Sequence, residues 1–180
     1  ISSSNLIFDF GLLNKDGSHY KNDSFALRVR GGDLDGSSGS GKISLKINKG
    51  GNFVALKDVD VAINTSVQTS EFNSGTKERS PINFSGQNSA IVLSDLNKTL
   101  KFTHFNGVLD GKNMNLNASF KRGDVKLIFK KSLLQIFAQN ISGEALNQFL
   151  GSQSFDGGVF TLKASGIDPR NYRGEINVQN

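Results

Sequence analysis

The segment Asn113-Met114-Asn115-Leu116-Asn117-Ala118-Ser119-Phe120-Lys121-Arg122-Gly123-Asp124-Val125-Lys126-Leu127-Ile128-Phe129-Lys130 decides how this chain folds. Met114, Leu116, Ala118 and Phe120 alternate with three asparagines and Ser119. After Arg122-Gly123 the alternation resumes with Val125, Leu127 and Phe129 against Asp124, Lys126, Ile128 and Lys130. Residues two apart share one face of a strand, so each run is apolar on one side and polar on the other. Two such runs joined through a short Gly-containing turn read as an antiparallel hairpin with one wet face.

The same period continues in both directions. Phe25, Leu27 and Val29 alternate with Ala26, Arg28 and Arg30; Ile43, Leu45 and Ile47 with lysines, Ser44 and Asn48. Val59, Val61 and Ile63 alternate with Asp58, Asp60, Ala62 and Asn64; Phe160, Leu162 and Ala164 with Thr161, Lys163 and Ser165. Gly31-Gly32, Gly50-Gly51, Asp110-Gly111 and Gly157-Gly158 punctuate the runs as turns. The spacing predicts strands over 6–10, 25–30, 42–48, 53–64, 82–85, 90–93, 100–106, 113–121, 124–129, 133–139, 159–165 and 172–178. The fold class is mainly β: an antiparallel meander forming a curved, elongated sheet or groove, with a β-sandwich as the alternative. About a dozen strands at ~4.8 Å spacing would run on the order of 55 Å if left open.

Two segments break the period. Residues 33–41, Asp-Leu-Asp-Gly-Ser-Ser-Gly-Ser-Gly, read as a flexible loop, and the polar stretch 65–81 as a mobile insertion. One short helix is predicted near 143–150, capped by Ser142, with Ala145, Leu146, Phe149 and Leu150 on one face. At about two turns it depends on packing against the sheet.

Composition narrows the function classes. Of 180 residues, 36% are hydrophobic, and the 20 glycines bring the apolar set to about 47%, the ordinary figure for a globular chain. The absence of Cys removes disulfides, thiolate metal sites and Cys nucleophiles. No run approaches the roughly 18 apolar residues of a membrane-spanning helix. No signal peptide is visible, and the opening Ile1-Ser2-Ser3-Ser4 is what a processed or excised piece would show. A net charge of +5 without a dense basic stripe points away from nucleic acid. The 180 residues suit one domain or one elongated slab.

Candidate chemistry is sparse. His104 shares strand parity with Leu100 and Phe102 and reads as a packed or pocket-lining residue; His19 lies in a polar turn. Neither has ligand-spaced neighbours, so no metal or cofactor is expected. Asp33-x-Asp35-Gly36 lacks the further oxygens of a Ca²⁺ loop. Asp58 and Asp60, alternate residues of one strand, offer a carboxylate pair for acid–base work, a pattern shared by any exposed strand face. The chain holds 19 Asn. Asn113, Asn115 and Asn117 form a polar ladder suited to sugar hydroxyls, or simply to an uncharged wet face. They motivate the alternative function of a glycan- or protein-binding β-sandwich of the cell envelope.

The most distinctive pattern is C-terminal. Leu146, Asn147 and Gly151 fit an "L-N-x-x-L/F-G" helix. Gly157, Gly158, Leu162, Ala164 and Gly166 fit a "GG-x-φ-x-L-x-A-x-G" strand. Gly174, Ile176 and Asn180 fit a "φ-x-G-x-I-x-φ-x-N" strand. Over roughly the last 50 residues the chain resembles the C-terminal region of AsmA-like proteins. The resemblance implies a repeating β-groove and a non-enzymatic periplasmic role in handling phospholipid between the inner and outer membranes of a Gram-negative envelope. It implies an inner-membrane anchor in segments outside this sequence, and it brings no catalytic residues. The lining of such a groove is expected at the inward-parity residues Phe25, Leu27, Val29, Ile43, Leu45, Ile47, Val59, Val61, Ile63, Leu116, Phe120, Leu127, Phe129, Phe160 and Leu162.

Overall fold

Alternation of the kind just read produces, in the folded chain, one sheet whose strands follow the sequence almost without interruption. The structure, a computed structural model, describes residues 2–6, 11–20, 23–63, 80–93, 98–110, 113–120, 122–130, 133–150, 152–167 and 172–179. Residues 7–10 of the first expected strand, and all but the last two residues of the 65–81 segment, lie outside these.

The strands are β1 (Ser2–Leu6), β2 (Leu12–Leu13), β3 (Asp23–Arg30), β4 (Asp33–Ser38), β5 (Ile43–Asn48), β6 (Gly51–Lys57), β7 (Asp60–Ile63), β8 (Ile82–Leu93), β9 (Lys98–Asp110), β10 (Asn113–Phe120), β11 (Gly123–Lys130), β12 (Leu133–Ser142), β13 (Val159–Gly166) and β14 (Arg173–Gln179), with helix α1 (Gly143–Leu150) after β12. The sheet order is β1-β3-β4-β5-β6-β8-β9-β10-β11-β12-β13-β14. Neighbours on this path are antiparallel except β6 and β8, which run parallel. The sheet is open rather than closed into a barrel, and no second sheet covers it among the described residues, so the sandwich alternative is not the architecture found.

The parallel step has a local cause. Lys57 pairs with Gln87 and Val61 with Ile91, so β6 and β7 are two pieces of one line running beside the long β8. The line breaks at Asp58, whose φ is 55°. The expected strand 53–64 is therefore two strands. The break also inverts side-chain parity: Val54 and Leu56 face the core before it, Val59 and Val61 after it.

Two further non-glycine residues adopt left-handed φ, Asn88 (48°) and Asn140 (54°). Asn and Asp tolerate this region best among residues with a side chain. Each sits where alternation slips. Around Asn140 the pairing of β12 with β13 shifts register, so that Ile141 as well as Ala138 faces inward. Opposite Asn88, β9 buries Phe102 and Phe105, three residues apart, and exposes Thr103 and His104 between them.

The segment 33–41, expected as a loop, is largely strand β4, paired on both sides. Its small residues read as loop signals yet serve packing: a Cβ on Gly36 would fall 2.5 Å from a ring carbon of Phe25. The expected strands 82–85 and 90–93 merge into the single strand β8.

The core lies on one face, in two clusters bridged by Val61. The larger gathers Phe105, Leu116, Phe120, Val125, Ile141 and Phe160 with Ala145 and Leu146 of α1. The Ser142 hydroxyl accepts the Ala145 N–H at 3.3 Å, the expected cap. Beyond the helix, Asn147 holds the return to β13 at both ends: its amide donates to the Phe155 carbonyl at 2.8 Å and its oxygen accepts the Phe155 N–H at 3.1 Å. The Phe155 ring then packs edge-on against Phe160, centroids 5.4 Å apart. The smaller cluster gathers Phe25, Ile43, Leu56 and Val59 beneath Leu12 and Tyr20. Leu12 of β2 pairs with Val61 of β7, so this short flap covers the β3–β6 end as α1 covers β9–β13.

Candidate functional site

The register places apolar residues in rows that cross the strands. One row runs Leu27, Gly36, Leu45, Val54, Phe84, Gly107, Leu116, Leu127, Ile136, Ala164 and Gly174, each the direct partner of the next. It crosses from β3 to β14 without a single polar side chain. The parallel row on its open side runs Val29, Leu34, Ile47, Asn52, Ile82, Leu109, Met114, Phe129, Leu134 and Gly166, with Asn52 alone polar. Ten strands at ~4.8 Å spacing carry this row over about 43 Å.

The two ends of the strands differ. Toward Phe25, Ile43, Phe120 and Phe160 the face is sealed by the β2–β7 flap and α1. Toward the other end it is uncovered: Val29 is 65% exposed, Leu109 40% and Ile47 39%. The molecule is thus a trough with an apolar floor, closed along one side and open along the other. Exposed apolar area arranged as a continuous strip marks a binding surface, unlike scattered surface Leu or Val.

Each expected lining residue has a definite place. Phe25, Ile43, Val59, Leu116, Phe120, Leu127, Phe160 and Leu162 are buried; Leu27, Leu45, Val61 and Phe129 are half-buried; Val29 and Ile47 are exposed. The side chain of Ile63 lies outside the described residues. Sequence reading missed several members of the same rows, among them Leu34, Val54, Phe84, Leu109, Met114, Leu134 and Ile136. Alternation in Ile82-x-Phe84 and Leu134-x-Ile136 was the signal available for three of them, Phe84, Leu134 and Ile136.

The polar candidates scatter. His104 is not packed beside Phe102: the parity slip at Thr103 turns it to the opposite face, where its Nε2 meets the Ser119 hydroxyl at 3.1 Å. Ser119 also donates to Asp124 at 3.1 Å. Here the hydroxyl stands between the imidazole and the carboxylate, whereas a nucleophile triad needs the imidazole in the middle. Asp58 and Asp60 are both occupied. Asp58 accepts the Asn88 amide. Asp60 accepts the Lys15 ammonium at 2.5 Å and the Ala90 N–H at 2.8 Å. Asp33 and Asp35 lie on the outer face of β4, and no cluster of three His, Cys, Asp or Glu able to hold a metal occurs among the described residues. Asn113, Asn115 and Asn117 are exposed on the outer face of β10.

One polar network is structural. Tyr20 donates to Asp23, and Ser40 donates to the same carboxylate at 2.5 Å through its hydroxyl and at 3.3 Å through its backbone N–H. Burial works to raise the Asp23 carboxyl, but these donors outweigh it and hold the group below its ordinary value. Burial, seconded by the bond to Asp23, raises the Tyr20 phenol. The network fastens the flap to the β4–β5 turn.

Compared with protein-family models, curated proteins and solved structures, the chain matches none. Among the described residues, no helix is long and apolar enough to cross a membrane.

Proposed function

We propose that this chain is a lipid-handling module that binds and does not catalyse. It would act in the periplasm as part of an AsmA-like protein, conducting phospholipid between the inner and outer membranes in support of outer-membrane biogenesis. The observation that carries the reading is the pair of apolar rows crossing ten and eleven strands. An acyl chain lying along them, across the strand direction, would exchange water for methyl and methylene contacts at about 0.8 kcal/mol per CH₂. The open side of the trough leaves a charged headgroup in water while the tail is dry, so no buried cation is required. The likeness of roughly the last 50 residues to the AsmA-like pattern supports the same reading and supplies its cellular setting.

The test is native mass spectrometry of the protein released gently from membranes. The proposal expects adducts with phospholipid masses. It expects them to disappear in Leu45→Glu, which puts a carboxylate into the half-buried row while the far-ultraviolet spectrum stays that of the wild type. A protein that emerges lipid-free and also takes up no phospholipid from vesicles contradicts the proposal.

A further inference from the structure

The face opposite the apolar rows carries two shallow depressions of about 370 and 530 Å³. They adjoin at His104 and Asn106, and their linings together make an outer trough that crosses β5, β6, β8, β9, β10, β11 and β12. Register again explains it: Ser85, Asn106, Asn117, Lys126 and Phe137 are successive partners in a single row. From this we infer that the outer trough is a binding site for an anionic polysaccharide, independent of the lipid reading.

Three features select that ligand. First, the amides of Asn106, Asn117 and Gln139 are exposed and make no hydrogen bond within the described residues. An amide offers two donors and an acceptor in one plane, a match for neighbouring sugar hydroxyls. Second, Phe137, half-buried, lines the same depression beyond Lys126 in the row and two residues from Gln139 on β12, an aromatic ring against which the C–H side of a sugar ring can rest. Third, Lys42, Lys57 and Lys126 line the trough against the single carboxylate of Asp124, which keeps its charge while accepting the Ser119 hydroxyl, and Lys57 and Lys126 are exposed and form no ion pair among the described residues. The trough therefore presents unbalanced positive charge, which favours uronate- or phosphate-bearing sugars over neutral ones. Seven strands at ~4.8 Å spacing span about 29 Å, room for several sugar rings.

The test uses the whole chain and three polymers: polygalacturonate, neutral dextran and polyacrylate, which has carboxylates but no hydroxyls. Titration calorimetry is expected to show polygalacturonate bound at least about tenfold tighter than either of the others. Asn106→Ala with Asn117→Ala, which leaves every charge in place, is expected to weaken it about tenfold or more. Phospholipid adducts in native mass spectra should be unchanged in that variant, which separates this site from the apolar face. No binding of polygalacturonate, equal binding of polyacrylate, or indifference to the double substitution would each overturn the inference, the last two by reducing it to plain charge adhesion.

Discussion

Asn88 donates its side-chain amide to the Asp58 carboxylate, and both residues hold left-handed backbone at matched points of the β6–β7 line and β8. The Asp58 N–H closes the arrangement by donating to the Gln87 carbonyl at 3.1 Å. This pair lets two adjacent strands invert parity together, so that apolar side chains stay on the same face on both sides of the break.

The backbone at Asn88 sets one expectation. A β-branched residue there pays the left-handed penalty that Asn and Gly escape. Asn88→Val should be less stable than Asn88→Gly by about 1–2 kcal/mol in urea unfolding. Equal stabilities would mean that the backbone kink is not imposed at this residue.

The sealed and open sides of the trough should respond differently to truncation. Leu116 is fully buried, so Leu116→Ala should cost about 2–5 kcal/mol. Val29 is mostly uncovered, so Val29→Ala should fall within about 0.5 kcal/mol of wild type. Thermal unfolding of the two variants measures the contrast, and similar losses would show that the open side is in fact covered.

Acid should loosen the flap through Asp23. Its carboxyl is held below the ordinary value of 3.8, so the unfolded chain binds the proton more readily than the folded one. The stabilisation is fully present above the unfolded value and is lost as pH falls through the depressed folded value. In urea unfolding from about pH 6 down to pH 2, wild type should lose this increment and Asp23→Asn should not. Parallel pH profiles for the two proteins would contradict the assignment.

The Asn147 clamp makes a local prediction. Asn147→Ala leaves the Phe155 N–H and carbonyl without their partner, which should cost about 1–3 kcal/mol. Hydrogen exchange at the Phe155 amide should accelerate well beyond that at Leu116 in the sheet. Unchanged protection at Phe155 would show that the return from α1 is held by other contacts.

Much of this architecture is legible in the residues. The β10–β11 hairpin follows from unbroken alternation in 113–120 and from alternation in 124–129 that Ile128 alone interrupts, and α1 from Ser142 and the helical spacing of Ala145 and Leu146. What alternation could not carry are its own interruptions. Asp58, Asn88 and Asn140 each look like an ordinary polar strand residue, yet each takes positive φ and shifts which side chains face inward. That is why His104, expected as a packed or pocket-lining residue on the face of Phe102, lines the depressions of the opposite face, and why Val54 and Leu56 were passed over. β4 was hidden for another reason: Gly36 is small because Phe25 and Leu27 fill the space above it, and small residues read as loop. The rows that cross the sheet were also invisible, because they depend on the register between strands rather than on any one strand.

The claim that an acyl chain lies along those rows is tested most directly by site-specific photo-crosslinking in Gram-negative cells. A photoreactive residue is placed in turn at the inner-face positions Leu45, Phe84 and Ile136 and at the outer-face positions Ser44, Asn115 and Lys163. The account predicts phospholipid adducts at the three inner positions and none at the three outer ones. Adducts absent from the inner positions, or equally frequent on both faces, would contradict it.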